Sequence, residues 1–163
     1  MSELAQQVVE ALRSSGQTVG AAESLTGGLL VAALVEVPGA STVVRGGVVA
    51  YAPQVKVDVL GVEADVVATR GTVDPQTARQ MAVRARDLLG ADWGVSTTGV
   101  AGPEPSEGKP VGTVHVGVAG PDGVDVIDLA LSGTRREIRD RTVADALSHL
   151  VARLGEQNRT AAG

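Results

Sequence analysis

Hydrophobic positions along this 163-residue chain recur with two periods, one helical and one extended. Leu4, Val8, Ala11 and Leu12 share one face of a first helix, which Ser2 is placed to cap and which ends near Gly16. Thr18 to Ala22 is short and partly β-branched, as a strand should be. Gly27 to Glu36 is apolar almost all round, which predicts a buried helix stopped by Pro38-Gly39. Val43 to Tyr51 reads as a strand in which Gly46-Gly47 marks a bulge or the close approach of a ligand. Pro53 begins a short helix that carries Lys56 and ends at Gly61, and residues 63 to 69 suit another helical turn. Asp74-Pro75 starts a longer helix, with Ala78, Met81, Ala82, Ala85, Leu88 and Leu89 at helical spacing before Gly90.

Trp93 to Thr98 is a strand that runs straight into Gly99-Val100-Ala101-Gly102-Pro103. Gly112 to Ala119 and Val124 to Leu131 form a hairpin around Gly120-Pro121-Asp122-Gly123. Thr134-x-x-Glu137 is a capping-box pattern opening the last helix, whose buried stripe is Leu147, Leu150, Val151 and Leu154. The expected fold is α/β: a single layered α/β/α domain with a mixed β-sheet over residues 1–155, then a frayed tail at 156–163.

Composition narrows the chemistry. A formal charge of −5, with 14 basic residues thinly spread, argues against a nucleic-acid surface, and an aromatic fraction of 1% nearly excludes base-stacking platforms. No apolar run suits a membrane span and no signal peptide is evident, so the expected compartment is the cytoplasm. Without cysteine there is no disulfide, thiol nucleophile or thiolate ligand. His115 and His149 stand apart; the first suits a structural role within a strand and the second an exposed helix face. No Asp, Glu and His set has metal-ligand spacing, so neither a metal nor another cofactor is expected. A homodimer is an expectation drawn from several all-apolar elements in a small domain.

The most informative stretch is Ala22-Glu23-Ser24-Leu25-Thr26-Gly27-Gly28, a strand ending on a serine with a glycine pair opening the next helix. A serine there can lie over unpaired N–H groups, a site for an oxyanion or a phosphate. It can equally be an ordinary N-cap, unless Thr26 takes that role and frees it. Lys56 is either solvated or, among Val55, Val57, Val59 and Leu60, buried enough to act as a neutral base. Tyr51 either ends a strand or orients that lysine through its hydroxyl. Trp93 is assigned to packing. Ser24, Tyr51 and Lys56 together suggest a serine–lysine hydrolase acting on a phosphate-bearing amide. Thr98, Gly99, Ala101 and Gly102 form a second glycine-rich strand exit suited to a phosphate or ribose.

In this order the motifs resemble the CinA C-terminal domain family, whose stand-alone members are nicotinamide-nucleotide amidases. AESLTGG at 22–28, VPGAS at 37–41, GGVVAY with Lys56 and LGV at 46–62, GTVDPQTARQMA at 71–82, TGVAGP at 98–103, KPVGTV at 109–114 and the GTRREIR helix carry the likeness over nearly the whole chain. The resemblance implies hydrolysis of the carboxamide of nicotinamide mononucleotide, with Ser24 as nucleophile, Lys56 as general base and Tyr51 as their partner. It further implies an oxyanion held by N–H groups near Thr26, Gly27 and Gly28, and a nucleotide held by Thr98, Gly99, Ala101 and Gly102, with Gly46 also near substrate. The alternative it leaves is a non-catalytic nucleotide-binding module linked to competence or DNA damage. The chain departs from the family pattern at Leu25 (usually cysteine), at Val44 (usually aromatic) and at 104–108 (usually glycine-rich). The nucleotide-pyrophosphatase-like domain of the fused members is not expected here.

Overall fold

The structure is a computed structural model and describes residues 2–161. Its elements run α1 (Ser2–Ser15), β1 (Val19–Glu23), α2 (Leu29–Val35), a 3-10 turn (Ala40–Thr42), β2 (Val44–Val49), α3 (Pro53–Asp58), α4 (Ala64–Arg70), α5 (Pro75–Leu88), β3 (Trp93–Gly99), β4 (Thr113–Gly120), β5 (Gly123–Ala130) and α6 (Arg135–Ala161). The five strands form one sheet in the order β2-β1-β3-β4-β5. β1 pairs in parallel with β2 and β3, while β3–β4 and β4–β5 are antiparallel. The mixed α/β architecture read from the pattern is the one observed.

Helices cover both faces. On one, α1, α2 and α6 bury Val8, Leu12, Leu30, Leu34, Leu147, Leu150 and Leu154 against Val19, Val95, Val114, Val116 and Val118 of the sheet. On the other, α5 lies across β1, β3 and β4, flanked by α3 and α4, and closes a smaller cluster of Ala22, Ala50, Leu60, Val62, Met81 and Ala85. Side chains of a strand alternate between faces, and β1 divides its residues accordingly: Val19 and Ala21 face the first layer, Ala22 the second. Glycine lets α5 come this close. A Cβ on Gly94 would run into the Ala82 carbonyl oxygen, and one on Gly117 would sit 2.6 Å from that of Ala78.

Parallel pairing decides where a site can form. Because β1, β2 and β3 run the same way, their carboxyl ends emerge together, and ligands of open α/β sheets settle at such an edge. Gly99, followed by the hairpin, and Ser24, followed by α2, therefore share one rim.

Several local expectations change. α2 buries Leu30 and Leu34 but leaves Val35 57% exposed, because it lies beside the edge strand and only one of its faces meets the core. The bulge falls at Arg45, where the register passes from Val19↔Val44 to Gly20↔Gly46. Ser2 is the first helical residue of α1, not the residue before it. The capping box forms: Glu137 accepts from the Thr134 N–H at 2.7 Å, and the Thr134 hydroxyl accepts from the Glu137 N–H at 3.3 Å. α6 stays helical through Ala161, so the described part of the expected frayed tail is helix, and residues 162–163 lie outside the described residues. His149 is half-buried rather than exposed, and burial lowers its pKa. His115 is structural as expected, its Nδ1 paired at 2.7 Å with Asp128 directly across β4 and β5. Trp93 is buried in the core and donates through Nε1 to Gln17.

Candidate active site

Ser24 directly follows β1, and its N–H donates to the Thr97 carbonyl at 3.0 Å, extending the sheet by one residue. α3 enters from the other side of β1 and carries Lys56, 1% exposed, into the apolar cluster beneath that rim. The Lys56 Nζ donates to Ser24 Oγ at 3.0 Å, to the Ala50 carbonyl at 2.7 Å and to the Tyr51 carbonyl at 3.3 Å. Burial disfavours the ammonium and pulls its pKa down to about 8, a shift that the negative charge of Glu107 partly opposes. Two residues 32 apart in sequence thus make one hydrogen-bonded, water-poor pair.

The turn after Ser24 is held from three sides. Glu23, buried at the end of β1, takes the first amides of α2: Oε1 accepts from Gly28 at 3.2 Å and Leu30 at 2.8 Å, and Oε2 from Val31 at 3.0 Å. Neither Ser24 nor Thr26 is therefore the cap. The helix starts on Gly28, in the left-handed region at φ 102°, and a carboxylate five residues earlier does the capping. The Thr26 hydroxyl bonds to that of Thr97 at 2.7 Å, and the Gly27 N–H donates to the Ser24 carbonyl at 3.1 Å. From α6, Arg139 clamps the Leu25 and Thr26 carbonyls at 2.8 and 3.1 Å.

These bonds correct the expected substrate contacts on this side. Gly27 and Gly28 build the turn, do not line the cleft into which Ser24 opens, and have their N–H groups already engaged; Thr26, also outside the cleft lining, lends the turn its hydroxyl and carbonyl but keeps its N–H. Among the described residues, the N–H groups of Leu25 and Thr26 find no acceptor, which leaves them as the free donors beside Ser24.

That cleft encloses about 240 Å³. Ser24, Leu25, Tyr51, Thr98, Gly99, Ala101 and Gly102 line it, so the second strand exit does reach the serine. Tyr51 is placed differently from its expected role: it is 60% exposed, and its hydroxyl accepts from Arg135 at 3.1 Å. Only its backbone carbonyl touches Lys56. Gly46 and Val44 are not brought to the site. Both sit at the opposite end of β2, opposite Gly20 and Val19, and line a separate groove beside α2. Leu25 is buried at the cleft wall, and Glu104 and Ser106 place the 104–108 loop on its rim.

Sequence reasoning missed Arg135, Thr72 and Val73, which also line the cleft, and the capping role of Glu23. Arg135 stands in the polar helix start, read as a capping box and a family motif but not as part of the site, and its guanidinium also reaches the Gly102 carbonyl at 2.5 Å. Thr72 and Val73 lie in the GTVDP stretch, read as a helix start and a family motif but not as part of the site. Glu23 was the readable one, a lone acid at the end of an apolar strand just ahead of a helix. Among the described residues, no three His, Asp or Glu side chains converge on a metal-sized site, and no helix is long and apolar enough to cross a membrane.

The profile of the CinA C-terminal domain matches residues 1–154. The chain belongs to that family. A CinA-like protein of Frankia casuarinae is 51% identical over 137 residues, 84% of this chain and 31% of the relative. A CinA-like protein of an Anaeromyxobacter species is 46% identical over 149 residues, 91% of this chain and 36% of the relative. The chain thus spans about a third of the length of these curated relatives. It matches solved structures along nearly their whole length. The competence/damage inducible protein CihA of Agrobacterium tumefaciens superposes with a TM-score of 0.90 at 41% identity, covering 94% of each chain. A CinA superfamily protein of Klebsiella pneumoniae gives 0.92 at 30% identity, covering 95% of this chain and 98% of its own.

Proposed function

We propose that this CinA-family domain is an amidohydrolase that converts nicotinamide mononucleotide to nicotinate mononucleotide and ammonia through an acyl-enzyme on Ser24. The observation that carries the reading is the 3.0 Å contact between Lys56 Nζ and Ser24 Oγ, in a buried setting that lowers the cost of the neutral amine. A neutral amine has two N–H bonds and one lone pair. The carbonyls of Ala50 and Tyr51 can take both N–H groups, which turns the lone pair toward the serine hydroxyl. With a pKa of about 8, roughly a tenth of the lysine is neutral at pH 7.

In the first step Ser24 Oγ attacks the carboxamide carbon as its proton passes to Lys56. The tetrahedral oxyanion needs donors already in place, and the unpaired N–H groups of Leu25 and Thr26 are the candidates. Collapse transfers the lysine's proton to the leaving nitrogen, expels ammonia and leaves a nicotinoyl ester on Ser24. Lys56, neutral again, takes a proton from water; the hydroxide attacks the ester, and the carboxylic acid leaves as the serine is reprotonated. Arg135 at the mouth suits the 5′-phosphate, and the Thr98–Gly102 exit suits the ribose.

Ammonia release from nicotinamide mononucleotide by wild type, Ser24→Ala and Lys56→Ala tests the reading. Wild type turns over without added metal, and each variant, still folded by circular dichroism, loses about 10³-fold or more in kcat. Wild type that binds the nucleotide without turnover would instead identify a binding module, and activity surviving in Ser24→Ala would rule out the serine mechanism.

A further inference from the structure

The 103–110 loop does more than border the cleft. Ser106 and Lys109 pair backbone to backbone at 3.2 and 2.9 Å, and between them Glu107 and Gly108 take positive φ, 52° and 71°. A residue with a Cβ adopts this left-handed conformation only against steric resistance. It turns the Glu107 side chain back onto the segment between α4 and α5. There Oε1 accepts from the Thr72 N–H at 3.0 Å and from the Thr72 hydroxyl, and Oε2 accepts from the Val73 N–H at 3.0 Å. Lys109 donates to the Val73 carbonyl and lies 3.9 Å from the same carboxylate. The Thr72 carbonyl in turn accepts from the Thr98 hydroxyl at 2.6 Å. A Cβ on Gly71 would collide with Glu107 Oε2, so glycine is what admits the carboxylate.

Resting on the amidase reading above, we infer that Glu107 is a positioning residue for that reaction: one carboxylate fastens the Thr72–Val73 part of the cleft lining to the loop that supplies Glu104 and Ser106. Its own charge is held in place. Burial alone raises the Glu107 pKa, but the bonds from Thr72 and Val73 and the charge of Lys109 outweigh that and keep it below the usual carboxylate value. This carboxylate is also the acid whose field reaches Lys56. Other charged or titratable groups around the pair are Glu23, committed to the α2 amides, Arg139 on the Leu25 and Thr26 carbonyls, and Tyr51, Glu104 and Arg135 along the cleft. Removing the Glu107 charge lowers the Lys56 pKa, so the acid limb of kcat/KM, which tracks the appearance of the neutral amine, moves to lower pH.

The test compares wild type, Glu107→Gln and Glu107→Asp. Lys56 and Lys109 are the two lysines of the chain, so selective ¹³Cε labelling reads the Lys56 titration directly, without substrate. Glu107→Gln, with its amide set against the Val73 N–H, raises the KM for nicotinamide mononucleotide about tenfold while kcat changes less than about threefold. It also lowers the Lys56 midpoint by about 0.3 pH or more, whereas Glu107→Asp keeps the wild-type midpoint. A KM within about twofold of wild type, or an unmoved Lys56 midpoint, overturns the inference. If wild type does not turn over, the amidase reading fails by itself. The Lys56 titration and the dissociation constant for the nucleotide, in place of KM, then decide the role of Glu107 by the same thresholds.

Discussion

Two strand exits meet at the rim of this sheet, and a threonine and glycines stand in both, yet they are used in opposite ways. After β1, Gly27, Gly28 and the Thr26 hydroxyl and carbonyl are consumed in building a turn, which leaves Ser24 and the Leu25 wall lining the cleft and the Leu25 and Thr26 N–H groups free beside them. After β3, Thr98, Gly99, Ala101 and Gly102 form the cleft itself. The difference lies in the element to which each strand connects. β1 leads into a helix whose first amides must be satisfied at once, and Glu23 with the tight turn does this. β3 leads into an antiparallel partner, and the Val100 N–H donates to Thr113 while the Val100 carbonyl accepts from Gly112. That pairing frees the neighbouring residues of the loop to bound a cavity. In this sheet the exit that starts no helix is the one whose loop is free to line the cavity.

The sharpest way to break this contrast is at Glu23. Glu23→Ala strips acceptors from three buried or half-buried amides of α2, at a cost of about 3–5 kcal/mol, whereas a neutral change in the second exit costs far less. Thermal denaturation should show a fall in Tm of roughly 10 °C; a fall below about 2 °C would mean the cap is dispensable.

Lys56 gives the next largest effect, and it depends on pH. Its folded pKa, about 8, lies below its unfolded value, so the unfolded chain binds more protons between the two. The stability of wild type relative to Lys56→Met should therefore rise from about pH 8 to about pH 10.5, by up to about 3 kcal/mol. Chemical denaturation across that range measures it. For the proposed amidase, the same ionisation should place the acid limb of kcat/KM near pH 8, which a pH–rate profile checks.

On the β3 side, Thr98→Val removes the bond to the Thr72 carbonyl. It should cost about 1–2 kcal/mol of stability and raise KM more than it lowers kcat, as steady-state kinetics and a melt would show. The smallest effect is expected at Val44→Phe, which restores the aromatic usual in the family. Because Val44 lies at the far end of β2, kcat/KM should stay within about twofold of wild type. A larger change would mean that the groove beside α2 communicates with the cleft.

Much of the fold was legible along the chain because its signals are local. The helical spacing of α5, its Asp74 cap, the β4–β5 hairpin and the Thr134–Glu137 box each depend on residues within a turn or a strand of one another. The pairing of Ser24 with Lys56 was accessible only through residue type and family likeness, since 32 residues separate them. The exposed half of α2 was misread for a specific reason. Apolar residues all round predict burial, but α2 lies along an edge, where only one face meets the core.

Periodicity and punctuation alone thus determine the elements, their kind and the presence of two strand exits, because hydrogen bonding and side-chain direction within an element are set by its own residues. Packing decided the rest. It chose parallel pairing of β1 with β2 and β3, which brings the exits to one rim; it buried Lys56, which sets its basicity; and it turned Tyr51 toward Arg135 instead of Lys56. Desolvation, and the allocation of a limited set of donors among competing acceptors, are properties of the assembled chain and have no representation in any one segment.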